Sequence, residues 1–457
     1  MEPKNPALSQ LVRTSFEPEE AERILSGFLA FTAEAMDVNT TVGLSLAGPF
    51  AATGHRLDGL APLLEGGFVD WVVARGEDLY LDAETGFEHA IRNTEGSELA
   101  EGSPGSTGPH PSRGASAADQ GEGSPHTAVP DTAGPRSAAA AGSTESGGAA
   151  SAAAGSATTS ESRASERVRI GDQIFHRNQV LSTEEFLGRL VVTPPFQKTL
   201  ATTELNNLLG RFLGERDRVF GLTAPTSVLA IAHKHKIPVF SDTPGGSVVG
   251  RRIAAAALSG NRLVLDHSRD INLAAAIVLR ADIAGRSVAV SIGGESPRDL
   301  LVQASLHLER PLGLGSCFYS AFLEVAKPGR ARLASRFRSH WGDSAPPLGV
   351  VELASDLALP LLSAIWLQEG PVKEGRQLYA SRDALLEELR DLYLRRDLER
   401  QVRETGAQIQ SQIQSKIEET QATLQAEVTK VQTQLQQQVQ RLLHQVLPPR
   451  DRKDDRP

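Results

Sequence analysis

From Glu95 to Glu166 the chain is almost entirely Ser, Gly, Ala, Thr and Pro with scattered charge, and it has almost no large apolar residue. Burial cannot offset the cost of ordering such a backbone, so this stretch predicts a flexible linker or insertion. Whatever folds must be built from the aliphatic-rich segments on either side, and they must be able to meet across it.

The rest of the composition removes several function classes. A formal net charge of −9, with Lys and Arg dispersed along the chain, offers no basic face for a nucleic acid. One cysteine, Cys317, forbids an internal disulfide framework and a thiolate metal cage and fits a reducing compartment. The histidines His233, His235, His267, His307, His340 and His444 show no metal-ligand spacing, so no metal is expected. The first residues lack a basic start leading into an apolar run, and no stretch of eighteen uncharged apolar residues follows. The expectation is a soluble, cytoplasmic protein.

Apolar residues at helical spacing from Phe16 to Ala35 predict an amphipathic helix. Val42–Leu46 then reads as a buried strand running into Ala47-Gly48-Pro49, with a helix over 57–64 and a second strand over 68–73. The same grammar returns beyond the linker at Lys236–Phe240, Arg262–Asp266 and Ser287–Ile292. Short, uniformly apolar strands separated by helices predict a doubly wound, Rossmann-like α/β domain with a parallel sheet covered on both faces. In such sheets ligands sit at the carboxyl ends of the strands, where glycine turns let phosphates approach the backbone. Three turns qualify: Ala47-Gly48-Pro49, Pro244-Gly245-Gly246-Ser247 and Gly293-Gly294-Glu295. None has the GxGxxG spacing, and each could equally be a tight turn that needs glycine for its backbone.

The order and surroundings of these turns carry a resemblance. "KIPVFSDTPGGSVVG", "GNRLVLDHSRDINLAAAIVLRA" and "SVAVSIGGESPRD" are similar to consecutive segments of the deoxyhypusine synthase family, and "LSLAGPFAATGHRLDGLAPLLEGGFVDWVVARGEDLYLD" resembles its first nucleotide-binding turn and second strand. "RIGDQIFHRNQVLSTEEFLGRLV" resembles the segment between the two halves, and "HWGD" followed by "LALPLLSAIWL" occupies the place of the catalytic loop and last helix. The resemblance implies one domain in two parts, 16–94 and 167–394, around the linker at 95–166. It also implies NAD as cofactor, spermidine as small-molecule partner, tetrameric assembly, and an aminobutyl group held as an imine on a lysine. The candidate dinucleotide-binding residues are Ala47, Gly48, Thr53, Gly76, Gly293 and Gly294.

Departures from the family pattern fall on its chemistry. Trp341-Gly342-Asp343 stands where the resemblance implies Trp-Gly-Lys, so Asp343 and Trp341 mark the catalytic position, and a carboxylate cannot form an imine. Gly246, Glu295, Asp299-Leu300 and Ala354 replace further site residues, and the segment Phe318–His340 is basic where an acidic loop is implied. Lys327, the nearest basic residue, lies beside Pro-Gly in what reads as an exposed turn. These departures predict a binding or assembly module without the lysine–imine reaction. The alternative is an NAD-dependent polyamine aminobutyl transferase forming deoxyhypusine or homospermidine, and a third reading is a coiled-coil protein whose globular part is a spacer.

After Ala380 the chain reads as continuous helix, with 395–446 as a coiled-coil helix ended by Pro448 and Pro449 and a charged tail over 447–457. Apolar or small residues recur at Val402, Gly406, Ile409, Ile413, Ile417, Thr420, Leu424, Val428, Val431, Leu435, Val439, Leu442 and Val446, an eleven-residue period of four, four and three. Such a period, about 3.67 residues per turn, implies a straight or weakly right-handed bundle. A helix so polar elsewhere needs a partner, so self-association through both the core and this tail is expected. A membrane-surface helix is the rival, disfavoured by the narrow stripe and its lack of aromatic residues.

Overall fold

A computed structural model describes residues 6–48, 50, 59–101, 167–170, 173–176, 182–315, 319–329, 348–370 and 373–446. The chain opens with α1 (Pro6–Ser15) and α2 (Pro18–Ala35), followed by β1 (Thr40–Leu46), α3 (Ala61–Glu65), β2 (Trp71–Ala74) and α4 (Gly76–Glu101). Beyond the Ser/Gly/Ala stretch come the hairpin β3 (Arg167–Ile170) and β4 (Gln173–His176), α5 (Thr183–Leu190), β5 (Thr199–Leu200), α6 (Thr202–Val219) and α7 (Val228–His235). Then follow β6 (Val239–Ser241), α8 (Val248–Ala257), β7 (Val264–Leu265), α9 (His267–Ala284), β8 (Arg286–Ile292) and α10 (Glu295–Glu309). The chain ends with β9 (Ala321–Ala326), β10 (Leu348–Glu352), α11 (Ser355–Glu369) and α12 (Arg382–Val446).

Six strands form one sheet in the order β10-β9-β8-β1-β2-β6, every pair parallel. The chain fills one side of β1 with β2 and β6, and then returns to the other side with β8, β9 and β10. Its direction reverses between β1 and β8, which is the topological switch point of a Rossmann-type sheet. Alternation along the strands divides the core. Val72, Ala74, Val288, Val290 and Ile292 face the layer that contains α2, α3 and α11, while Trp71, Val73, Ala289 and Phe322 face α9, α10 and the start of α12. Gly43 sits where any Cβ would lie 2.6 Å from the Trp71 indole, so the largest side chain of β2 is accommodated by the smallest residue of β1.

Several expectations shift. Arg262–Asp266 yields only the two-residue β7, which pairs with β5 outside the main sheet, because Val264 faces solvent. β9 and β10 are additional strands, and β9 occupies part of the basic segment Phe318–His340, where the resemblance implies an acidic loop. α1 precedes the expected first helix and packs on α2 through Leu8 and Val12. α4 continues to Glu101, so the first residues of the expected linker are helical, and the remainder, 102–166, lies outside the described residues. The continuous helix expected after Ala380 is α12, a single helix of 65 residues that runs through the boundary drawn at 394/395. No described helix is long and apolar enough to cross a membrane.

Candidate functional site

At the switch point the last residues of β1 and β8 lie side by side. Ala47 N–H donates to the Ile292 carbonyl at 2.9 Å, and Gly293 N–H donates to the Val325 carbonyl at 2.8 Å, so both groups are consumed by the sheet. Gly293 has φ +85°, and a Cβ there would meet the Ala47 carbonyl oxygen at 1.8 Å. Gly48 has φ +135°, and a Cβ there would meet Ser355 Oγ at 2.7 Å. These glycines let the strand ends and the start of α11 close on each other. What remains is a cavity of about 10 Å³ lined by Leu46, Ala47, Gly48, Phe50, Ile292, Ser355, Asp356 and Leu359. That volume admits about one water, far less than a pyrophosphate. Asp356, in the first turn of α11, also sets a carboxylate on the wall where an anion would lie.

The neighbouring strand ends are tied in the same way. Gly76 opens α4 against the loop after β6, in ordinary contact with Pro244, Ser247 and Thr243. The amino end of α4 carries Glu77 and Asp78, and Arg75 bridges both at 3.3 and 3.6 Å, so the partial positive charge of the helix end is already met by its own carboxylates. Ser247 caps α8 through Gly250 N–H at 3.1 Å. Asp242 accepts hydrogen bonds from Thr243 Oγ1 at 2.9 Å and from the Ser296 hydroxyl, joining the loop after β6 to the first turn of α10.

Sequence reasoning missed the charged pair beneath α10. Glu324, fully buried in the middle of β9, accepts from Arg298 at 3.0 Å, and Arg298 is itself 6% exposed. The register places Glu324 beside Ser291, and Ser291 beside Ser45, on the face covered by α10. This makes a polar row one residue short of the crevice. The available signal was a glutamate inside the apolar run Ala321–Ala326, a position where a charge survives only if paired.

Of the residues named from sequence, Ala47, Gly48, Gly293 and Gly294 come together at the switch point, and Gly76 lies two strand ends away beside β6. Thr53, Trp341, Asp343 and Cys317 lie outside the described residues. Lys327 is exposed in the turn after β9, as its Pro-Gly neighbours suggest. His233 is half-buried on α7 with Nδ1 3.0 Å from Asn207 Oδ1; burial, then Lys236 and Arg211, hold its pKa below the usual histidine value. Among the described residues no group of three His, Cys, Asp or Glu side chains could hold a metal ion.

The family model for deoxyhypusine synthase matches residues 146–328. A deoxyhypusine synthase-like protein of Nostoc sp. is 28% identical over 395 residues, covering 84% of this chain and 87% of the relative. One from Nostoc punctiforme is 29% identical over 371 residues, covering 79% and 80%. A crystal structure assigned as a deoxyhypusine synthase from Entamoeba histolytica is 11% identical and superimposes with a TM-score of 0.44, covering 82% of this chain and 99% of that one. The matched segment contains the loop after β6, the β8 glycine turn and the buried Arg298–Glu324 pair, and the chain is similar, as a divergent relative, to deoxyhypusine synthase-like proteins.

Proposed function

We propose that this protein is a family member without lysine–imine chemistry that serves in the cytoplasm as an assembly module, with the sheet as a rigid body and α12 as its contact element. The observation that carries this reading is the closed switch point: the glycines that would admit a dinucleotide are filled by the opposing strand and by α11. The described residues therefore do not fit NAD, because Ala47 and Gly293 have spent their N–H groups on the sheet and Asp356 lines the remaining space. Asp343 adds a second reason from sequence, since a carboxylate at the family's lysine position has no amine nitrogen with which to form an imine.

The test is trapping. Incubation of the protein with spermidine and NAD followed by borohydride is expected to leave no aminobutyl mass on any lysine, and titration calorimetry with millimolar NAD is expected to show no heat. An adduct mapped to Lys327 or another lysine would restore the polyamine transferase reading. In parallel, deletion of 401–457 is expected to lower the oligomer mass in light scattering while the core stays folded. An unchanged mass would remove α12 from the assembly.

A further inference from the structure

The amino-terminal part of α12 belongs to the core, where Leu385 and Leu389 are buried in the cluster that includes α9. From Leu394 the helix becomes largely exposed, its polar side chains as far as Glu404 lining a cleft with Leu312 and Gly313. Its apolar stripe residues from Val402 to Leu442 are exposed at 46–64%. Over Val402–Val446 the stripe runs for about 65 Å at ~1.5 Å per residue.

The spacing of the stripe permits an antiparallel pairing in which every stripe position is matched. Counting outward from Leu424 in either direction, the intervals are four, three, four, four, three and four. The pattern therefore reads the same from both ends. We propose that the stripe is covered by the same helix of a second copy, running antiparallel and centred on Leu424. This deepens the assembly reading above and rests on it.

In that register every stripe position meets a stripe position. Gly406 falls opposite Leu442 and Thr420 opposite Val428, so each small residue is met by a larger one, while Ile413 meets Leu435 and Ile417 meets Val431. A parallel, in-register pair would set Gly406 against Gly406 and Thr420 against Thr420, leaving two thin layers in a core that packs best when filled. Charge agrees with the antiparallel choice. Lys416 and Glu427 are eleven residues apart and so lie on one side of the helix, and like sides face each other only in an antiparallel pair. Lys416 is then about five residues, ~7.5 Å along the axis, from Glu427 of the second copy, within reach of two long side chains, and the contact occurs twice. In a parallel pair the same side would face only uncharged glutamines such as Gln421 and Gln432.

The geometry also sets the shape of the assembly. Leu392 is the last apolar residue of α12 in the core cluster, so the two clusters lie at opposite ends, on the order of 95 Å apart at ~1.5 Å per residue.

The experiment is disulfide trapping in the full chain with Cys317→Ser, reading the species formed under mild oxidation together with mass by light scattering. Leu424→Cys is expected to cross-link with itself. Ile413→Cys and Leu435→Cys are each expected to stay uncross-linked alone and to link when the two proteins are mixed and allowed to exchange. If Cys317→Ser does not fold, the same variants keep Cys317 and linkages are assigned by peptide mapping. Self-linking by Ile413→Cys overturns the antiparallel orientation while leaving the assembly reading intact. An oligomer in which Leu424→Cys does not link overturns this pairing alone, whereas a monomer overturns both. A monomer that co-floats with phosphatidylglycerol vesicles would assign the stripe to a membrane surface.

Discussion

The carboxyl edge of the sheet and the distal part of α12 dispose of their surface in opposite ways. At the edge, strand ends, helix starts and a loop are drawn together until about 10 Å³ remains, and polar groups such as Asp242 and Ser296 face each other. Along α12, apolar side chains from Val402 to Leu442 are exposed among the described residues. In open α/β folds the edge is where ligands are handled and a helix outside the sheet is usually cover. Here, among the described residues, the exposed apolar stripe lies on the helix, and the ends of β1 and β8 close on each other and on α11.

The sharpest way to break this contrast is the buried pair under α10. Arg298→Ala would leave the fully buried Glu324 without its 3.0 Å partner, and loss of one member of such a pair costs about 3–5 kcal/mol. The expected outcome is a large drop in Tm or loss of soluble protein, with most of the stability returned by the double change Arg298→Met and Glu324→Met. A Tm unmoved by Arg298→Ala would mean that the edge is looser and wetter than described.

Gly293→Ala is the next largest. The backbone strain at φ +85° together with an overlap 1.8 Å from the Ala47 carbonyl predicts a loss of about 2–4 kcal/mol, measured by urea unfolding. A glycine kept only for ligand approach would tolerate alanine, so a normal midpoint would reopen the dinucleotide reading of this turn.

The two regions also differ in how well the sequence announces them. β1, β2, β6 and β8 are legible because they are short, uncharged and mostly apolar or β-branched in their interiors and bounded by turn residues. β9 is not, because Glu324 interrupts its run and its partner Arg298 comes from a helix 26 residues earlier. β10 is five residues of which only Val351 is buried, so its periodicity is weak. The glycine turns are visible as turns, but their closure is not. Gly293 packs on Ala47, and a contact spanning that much chain leaves no local trace. α12 is the reverse case. Its stripe is entirely local, and the structure adds only where burial stops.

The smallest expected effect concerns pH and the groove between α6 and α7, away from both regions. His233 on α7 lies against Asn207 of α6, with Lys236, Arg211 and Glu215 as its charged neighbours, and burial holds its pKa below the usual 6.5. A depressed histidine pKa means that the unfolded chain binds the proton more readily than the folded one. Its contribution is therefore fully present above about 6.5 and is lost as pH falls through the lower folded-state value. Between pH 7.5 and 5 the protein should lose stability through this group, by a modest amount because His233 is only half-buried. His233→Gln, whose side chain carries no proton equilibrium, is expected to flatten that part of the curve of midpoint against pH without altering oligomer mass. Since His307, also held low by burial and 2.9 Å from Asn272, contributes with the same sign, the double variant with His307→Gln should flatten it further. A variant whose acid limb keeps the wild-type slope would show that neither histidine is buried enough to matter and that carboxylates govern acid unfolding over this range.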